Sequence, residues 1–96
     1  MRVRVNFFGF LKAKFNVGSE EVSVASGTRL CDLFLQLAER YGEHFKSYIF
    51  DTVETDVKSD ILVNINDVPI RLKRGLKTEL KEGDLVDFFP LFAGGG

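Results

Sequence analysis

Tryptophan is missing from this 96-residue chain, and cysteine and histidine occur once each. One cysteine excludes an internal disulfide and any cysteine-ligated metal or iron–sulfur centre. One histidine, His44, has no second ligand beside it in the sequence and reads as a solvated residue after a helix. Neither sign of charge dominates: 13 Lys and Arg face 14 Asp and Glu. That balance lacks the basic excess of a nucleic-acid binder. No apolar run approaches the roughly 20 residues of a membrane span. Met1-Arg2-Val3-Arg4-Val5 alternates charge with valine and does not read as a signal peptide, so a cytoplasmic protein is expected. Gly9, Gly18 and Gly27 are isolated turn glycines and not a phosphate-binding loop. The acidic residues are scattered, with no spacing that pairs a general acid with a base. Cys31, in the first turn of a predicted helix, is a candidate thiol, but no catalytic partner accompanies it. No repeat, low-complexity segment or linker divides the chain, and its length fits one domain.

What remains is a dense apolar pattern with ten phenylalanines. Val3, Val5 and Phe7 alternate with Arg2, Arg4, Asn6 and Phe8, which predicts a half-buried strand over 2–8. A connection with a short helical turn follows over 9–18, then a second strand over 19–24. Leu30, Leu33, Phe34, Leu37, Ala38 and Tyr41 recur at steps of three and four. That spacing predicts an amphipathic helix over 29–41, with Thr28 as its N-cap and Gly42 just past its end. Residues 43–60 are the least legible: Phe45, Tyr48, Ile49 and Phe50 suit a short helix or a strand, and 51–60 a loop. Ile61, Val63 and Ile65 mark a third strand, Asn66-Asp67 a turn, and 68–72 a short fourth strand that Pro69 places near an edge. Leu80 is expected to plug the core. Glu82-Gly83-Asp84 is a turn, and 85–89 the last strand. The basic stretch Arg71-Leu72-Lys73-Arg74 reads as a solvated turn or a meeting point for an acidic partner. One main helix on one face of a mixed sheet, reached through a hairpin, is an α+β domain of β-grasp type.

Two features are left over. Phe8 falls in phase with the arginines of its strand, Phe89 with Asp87, and Leu62 with Asn64 and Asn66. Three large apolar residues are therefore expected on the sheet face away from the helix, with Asp87 facing water, and a contiguous patch of that kind marks a partner site. The other feature is the end, Phe88-Phe89-Pro90-Leu91-Phe92-Ala93-Gly94-Gly95-Gly96. Proline cannot donate to a ladder, so the strand should stop at or before Pro90. The glycines form a tail slim enough for a narrow cleft, ending in a carboxylate that is inert until activated. Frayed chain ends look similar. The division expected is a domain over 1–90 and a flexible tail over 91–96.

The set of motifs resembles the small subunit of molybdopterin synthase, a ubiquitin-like sulfur carrier. It comprises Asn6-Phe7-Phe8 ending the first strand, Thr28 at the helix start, and Ile61-Leu62-Val63-Asn64-Ile65-Asn66. Leu80-Lys81-Glu82-Gly83-Asp84 follows, then Phe88-Phe89-Pro90 and the glycine tail. The resemblance implies that Gly96 carries the acyl-adenylate and then the thiocarboxylate, with Gly95 as its flexible neighbour. It implies contact with partners through Phe8 and Phe89, in agreement with their phase, and the expected partner interface is Phe8, Leu62, Phe89, Pro90, Leu91, Phe92 and Gly94. The implied partners are the large subunit of molybdopterin synthase in a heterotetramer, a ubiquitin-activating-like adenylyltransferase that uses ATP, and a sulfur donor. The implied product is the dithiolene of a pyranopterin that receives molybdenum or tungsten. No cofactor or metal on the chain itself is expected. Leu91 stands where the family often has a second proline, and three glycines stand where two are usual. A ubiquitin-like modifier of lysines, a thiamine-pathway sulfur carrier and a plain ubiquitin-like interaction domain are the alternatives.

Overall fold

Val3, Val5 and Phe7 of β1, Arg2–Phe7, point into the core, while Arg2 and Arg4 stay in solvent. The computed structural model describes residues 1–50 and 57–91. In it β1 pairs antiparallel with β2, Ser19–Ser23, and parallel with β5, Leu85–Pro90. On its other side β5 pairs antiparallel with β3, Ile61–Ile65, which continues into the two-residue β4, Val68–Pro69. The order β2-β1-β5-β3-β4 makes the last strand the central one. This is the mixed sheet of the β-grasp fold.

Among the described residues three α-helices cover one face. The first, α1, is Phe10–Phe15, where the sequence suggests only a helical turn. The main helix, α2, is Leu30–Tyr41 and buries Leu30, Leu33, Phe34, Leu37 and Ala38, the stripe that the periodicity marks. The third, α3, is Glu43–Ile49 and resolves the ambiguous 43–50 stretch as helix, burying Phe45 and Ile49. Gly42 separates the last two: at φ 68° it turns the chain, and its N–H closes α2 on the Ala38 carbonyl at 2.7 Å. Phe88 on β5 sits among rings from all of this, 5.1 Å from Phe7, 5.4 Å from Phe34 and 6.0 Å from Phe45 between centroids. Such tilted and edge-on pairs add to the gain from area burial alone. Leu80 is buried as expected.

Two local expectations are corrected. Thr28 is not the N-cap. Its hydroxyl donates to the Ala25 carbonyl at 2.6 Å, and the cap position falls to Arg29, whose N–H donates to Asp32 Oδ2 at 3.0 Å. A cross-chain pairing fixes this register: Leu30 N–H donates to Thr78 O and Leu80 N–H to Thr28 O, both at 2.9 Å. The fourth strand ends at Pro69 and not at Leu72. Residues Ile70–Leu72 curl into a 3-10 turn, and a second follows at Gly75–Lys77. Proline has no N–H with which to continue a ladder, so the edge strand stops there. Between β3 and β4, Asn66 and Asp67 both take positive φ, 51° and 67°. That is the I′-type hairpin for which Asn and Asp are suited.

The Gly83-Asp84 turn is tied to this hairpin. Asn66 Nδ2 donates to Asp84 Oδ1 at 2.8 Å, Lys81 N–H donates to Asp84 Oδ2 at 2.8 Å, and Leu85 N–H donates to Asn66 Oδ1 at 2.9 Å. These bonds set where β5 begins and so which of its residues face out. Among the described residues no helix is long and apolar enough to cross a membrane.

Candidate functional site: the open sheet face and the exit of the chain

The sheet face opposite the helices carries the residues that fall between the core positions. On β5 these are Leu85, Asp87 and Phe89, since Val86 and Phe88 are fully buried beneath the helices. Phe7 pairs with Phe88 in the parallel ladder, and Phe8 N–H donates to Phe88 O at 3.1 Å, which sets Phe8 beside Phe89. The two rings stack, with centroids 4.4 Å apart and planes 12° from parallel. On the other side Leu62 is the direct cross-strand partner of Phe89. Phe8, Phe89 and Leu62 thus form one row across three strands. Phe8 is 41% exposed, and the other two are half-buried. Phase alone indicates which face they share; the pairing registers make them neighbours.

The row lies where the chain leaves the sheet. Pro90 is the last ladder residue, paired with Ile61, and is half-buried. Leu91 N–H makes one further bond, to Asp60 O at 2.8 Å, and its side chain is 52% exposed. Phe92, Gly94, Gly95 and Gly96 lie outside the described residues. Gly9 takes part as well, although in the sequence it reads as a simple turn. Its φ of 59° with ψ of −139° suits glycine only, and a Cβ there would stand 2.7 Å from Pro90 Cγ. Pro90 therefore rests on a bare stretch of backbone, and that contact fixes the direction of the exit. No local signal marks it, because the two residues are at opposite ends of the chain.

Asp87 departs from expectation. It does share the open face with Phe89, but it is only 6% exposed and accepts a hydrogen bond from Asn6 Nδ2 at 2.7 Å. Its position explains this: on the central strand it is walled by Asn6 and Asn64 across the ladder and by Leu85 and Phe89 along it.

The rest of the described residues offer no catalytic constellation. Among them no group of three His, Cys, Asp or Glu side chains is placed to hold a metal. Cys31 is half-buried. The His44 ring lies parallel to Tyr48 with centroids 6.2 Å apart. A cavity of about 190 Å³ at the β3–β4 edge is lined by Leu62, Val63, Pro69 and Ile70, with Lys58, Ser59 and Arg71 beside it. Burial pushes the Tyr41 phenol well above its ordinary value, and the 2.6 Å hydrogen bond it donates to Glu20, together with the charge of Glu20, pushes it further; nearby Arg40 opposes. Arg40 also pairs with Glu20, so this trio clamps α2 to β2.

The model of the ThiS family matches residues 5–95. The chain belongs to that family of ubiquitin-like sulfur carriers. Among curated proteins no sequence matches it significantly. Among solved structures it resembles a putative molybdopterin converting factor subunit 1 from Pyrococcus furiosus, at 27% identity and TM-score 0.75, over 96% of this chain and 99% of that one. Small archaeal modifier protein 1 of Haloferax volcanii superposes with TM-score 0.80 at 18% identity, covering 95% and 98% of the two chains. A chain of the Amycolatopsis orientalis BexX/CysO complex superposes with TM-score 0.76 at 24% identity, covering 97% and 99%. These last two likenesses concern the fold.

Proposed function

We propose that this ThiS-family member is the sulfur-carrying small subunit of a molybdopterin synthase, with its chemistry at the Gly96 carboxylate. The observation that carries the reading is the unbroken row Phe8–Phe89–Leu62, which runs into Pro90 and Leu91 just ahead of a glycine tail. A stacked aromatic pair flanked by leucine is a docking surface in reach of the reactive end. A protein seated on it receives the tail in one direction, because Pro90 is held against Gly9. The likeness to the Pyrococcus furiosus subunit at 27% identity supports the same reading.

In this scheme a ubiquitin-activating-like enzyme docks on the row and draws the tail to its ATP. A terminal carboxylate oxygen attacks the α-phosphorus and pyrophosphate leaves, giving an acyl-adenylate. Sulfur at the oxidation level of sulfide, delivered by a donor, then attacks the carbonyl carbon. The C–S bond forms, the bond to AMP breaks, and Gly96 becomes a thiocarboxylate. The same row then seats the large synthase subunit, whose active site takes the tail and passes sulfur to the cyclic pyranopterin precursor. This chain supplies the acyl group, the docking face and the slim approach. It binds no cofactor of its own, and the ATP belongs to the enzyme.

The test is intact mass of the chain after incubation with ATP, a sulfur donor and the activating enzyme of its source organism. The expected result is exchange of one oxygen for sulfur, placed at Gly96 by fragmentation. Gly95→Val should lose most of the conversion while staying folded, because a β-carbon obstructs a cleft shaped for glycine backbone. A chain that remains a carboxylate under these conditions rules out the carrier reading. The fold shared with small archaeal modifier protein 1 favours one second reading, a modifier that spends the activated glycine on lysines. Isopeptide-linked species in cells identify that role, and rescue of a strain lacking the synthase small subunit identifies the first.

A further inference from the structure

The centre of the open face is not apolar. Asp87, on the central strand between Phe89 and Leu85, is a carboxylate nine-tenths buried, and among the described residues its one hydrogen-bond donor is Asn6 Nδ2. Directly across the ladder is Asn64, whose Oδ1 is sealed from solvent without a hydrogen-bond partner. A carboxylate with one side-chain donor among the described residues therefore adjoins an unpaired amide oxygen. The cations of this face do not relieve it. Arg4 turns away from Asp87 to Ser19 Oγ at 3.0 Å and Glu21 at 3.5 Å, and Arg2 reaches Glu21 at 3.1 Å.

A buried polar atom without a partner is rare in a native fold and calls for an explanation. Here the explanation lies in docking. The proposed function places a partner on the Phe8–Phe89–Leu62 row, and Asp87 is the next residue of β5 on that face. A protein seated there removes the last water from the carboxylate, and a buried charge without a counter-ion is strongly unfavourable. The partner must bring the missing donors. We propose that the activating enzyme inserts an arginine beside the Phe89 ring, whose guanidinium donates to Asp87, with Asn64 Oδ1 as second acceptor once that amide swings outward. Arginine fits better than lysine: its planar fork carries several donors at fixed angles and can serve both acceptors at once. Aromatic and arginine anchors also dominate the centres of protein interfaces.

This inference rests on the docking row of the proposed function, so the test separates the two. Affinity for the activating enzyme of the source organism is measured by calorimetry for the wild type, Asp87→Asn and Phe89→Lys, each confirmed folded by thermal unfolding. Asp87→Asn keeps the shape and removes the charge. It is expected to bind about 30-fold more weakly or worse, as when one member of a buried charge pair is removed. Each arginine on the docking surface of the enzyme is then changed to glutamine. One of these should weaken binding of the wild type and have little further effect on Asp87→Asn, the non-additivity of groups in direct contact. If Asp87→Asn binds like the wild type while Phe89→Lys does not, the arginine is refuted and the docking row stands. If Phe89→Lys also binds normally, the row falls and the arginine with it. Should Asp87→Asn fail to fold, the glutamine series against the wild type still decides: no arginine whose loss weakens binding overturns the proposal.

Discussion

Gly9→Ala is the most informative single change in this domain, because two separable costs meet at one atom. The first is conformational. With φ at 59° and ψ at −139°, residue 9 occupies a region that a β-carbon disfavours, a strain of about 1–3 kcal/mol. The second is steric. The new Cβ would stand 2.7 Å from Pro90 Cγ and 3.3 Å from Pro90 Cδ. A proline ring cannot swing aside as a flexible side chain does, so β1, β5 or both must shift, an overpacking cost of roughly 1–3 kcal/mol. Gly83 gives a positive-φ reference without the second cost: its φ is 82°, and a Cβ there meets nothing within 4 Å. Gly83→Ala should therefore cost about 1–3 kcal/mol, and Gly9→Ala about 1–3 kcal/mol more. In a domain of this size each kcal/mol lowers Tm by roughly 4–8 °C. The assay is thermal and urea unfolding of both variants, together with Pro90→Ala and the Gly9→Ala/Pro90→Ala double variant. Removing the ring makes room for the methyl, so the double variant should regain at least about 0.5 kcal/mol relative to additivity. Equal losses at Gly9 and Gly83, or strict additivity with Pro90→Ala, refute the contact as the feature that aims the exit.

Two further outcomes can be measured alongside it. Deleting Gly94 to Gly96 should leave Tm nearly unchanged while abolishing sulfur transfer, since glycine brings no side chain to a core; a large drop in Tm shows that the tail is packed into its own domain. Stability should fall as pH rises above about 10, the ordinary tyrosine value, because the unfolded chain then releases the Tyr41 proton while the folded chain, with its raised phenol pKa, retains it. The sign is fixed: fewer protons bound in the unfolded state mean stability declining with pH. Tyr41→Phe should flatten that slope in urea titrations between neutral and alkaline pH, and an unchanged slope assigns the loss to other groups.

Elements whose stabilisation is local are legible in the residues themselves. Val3, Val5 and Phe7 advertise a strand by their spacing, the Leu30–Tyr41 stripe a helix, and Asn66-Asp67 a hairpin by backbone chemistry. Features that depend on distant partners are not. Thr28 is an apt N-cap by residue type, but residues 78–80 pair with 28–30 and shift the helix start by one. The seven-residue α3 carries too few apolar positions to display a period, and it holds because Phe45 meets Phe15, Phe34 and Phe88 from three other elements. Asp87 reads as solvated because its neighbours in sequence alternate correctly; its burial comes from strands β1 and β3 on either side. For the site the division is similar. Phase identifies Phe8, Phe89 and Leu62 singly, register makes them a row, and Gly9 carries no signal at all.

Under the proposed function, the topology suits a reactive chain end. A terminal strand is usually the first to fray, but here β5 is held by a ladder on each side, parallel to β1 and antiparallel to β3. Its side chains also supply Phe88, at the middle of the ring cluster, and Phe89, in the row on the open face. One strand therefore ties together the core, the Phe8–Phe89–Leu62 row and Pro90. Beyond the Ile61–Pro90 pair one bond in the same register remains, Leu91 N–H to Asp60 O at 2.8 Å, while Pro90 has no N–H of its own to donate. A pull on the tail is transmitted into the middle of the sheet, where two ladders must open together before the strand yields. A tail drawn from an edge strand such as β2 or β4 would load one ladder only, and would peel it.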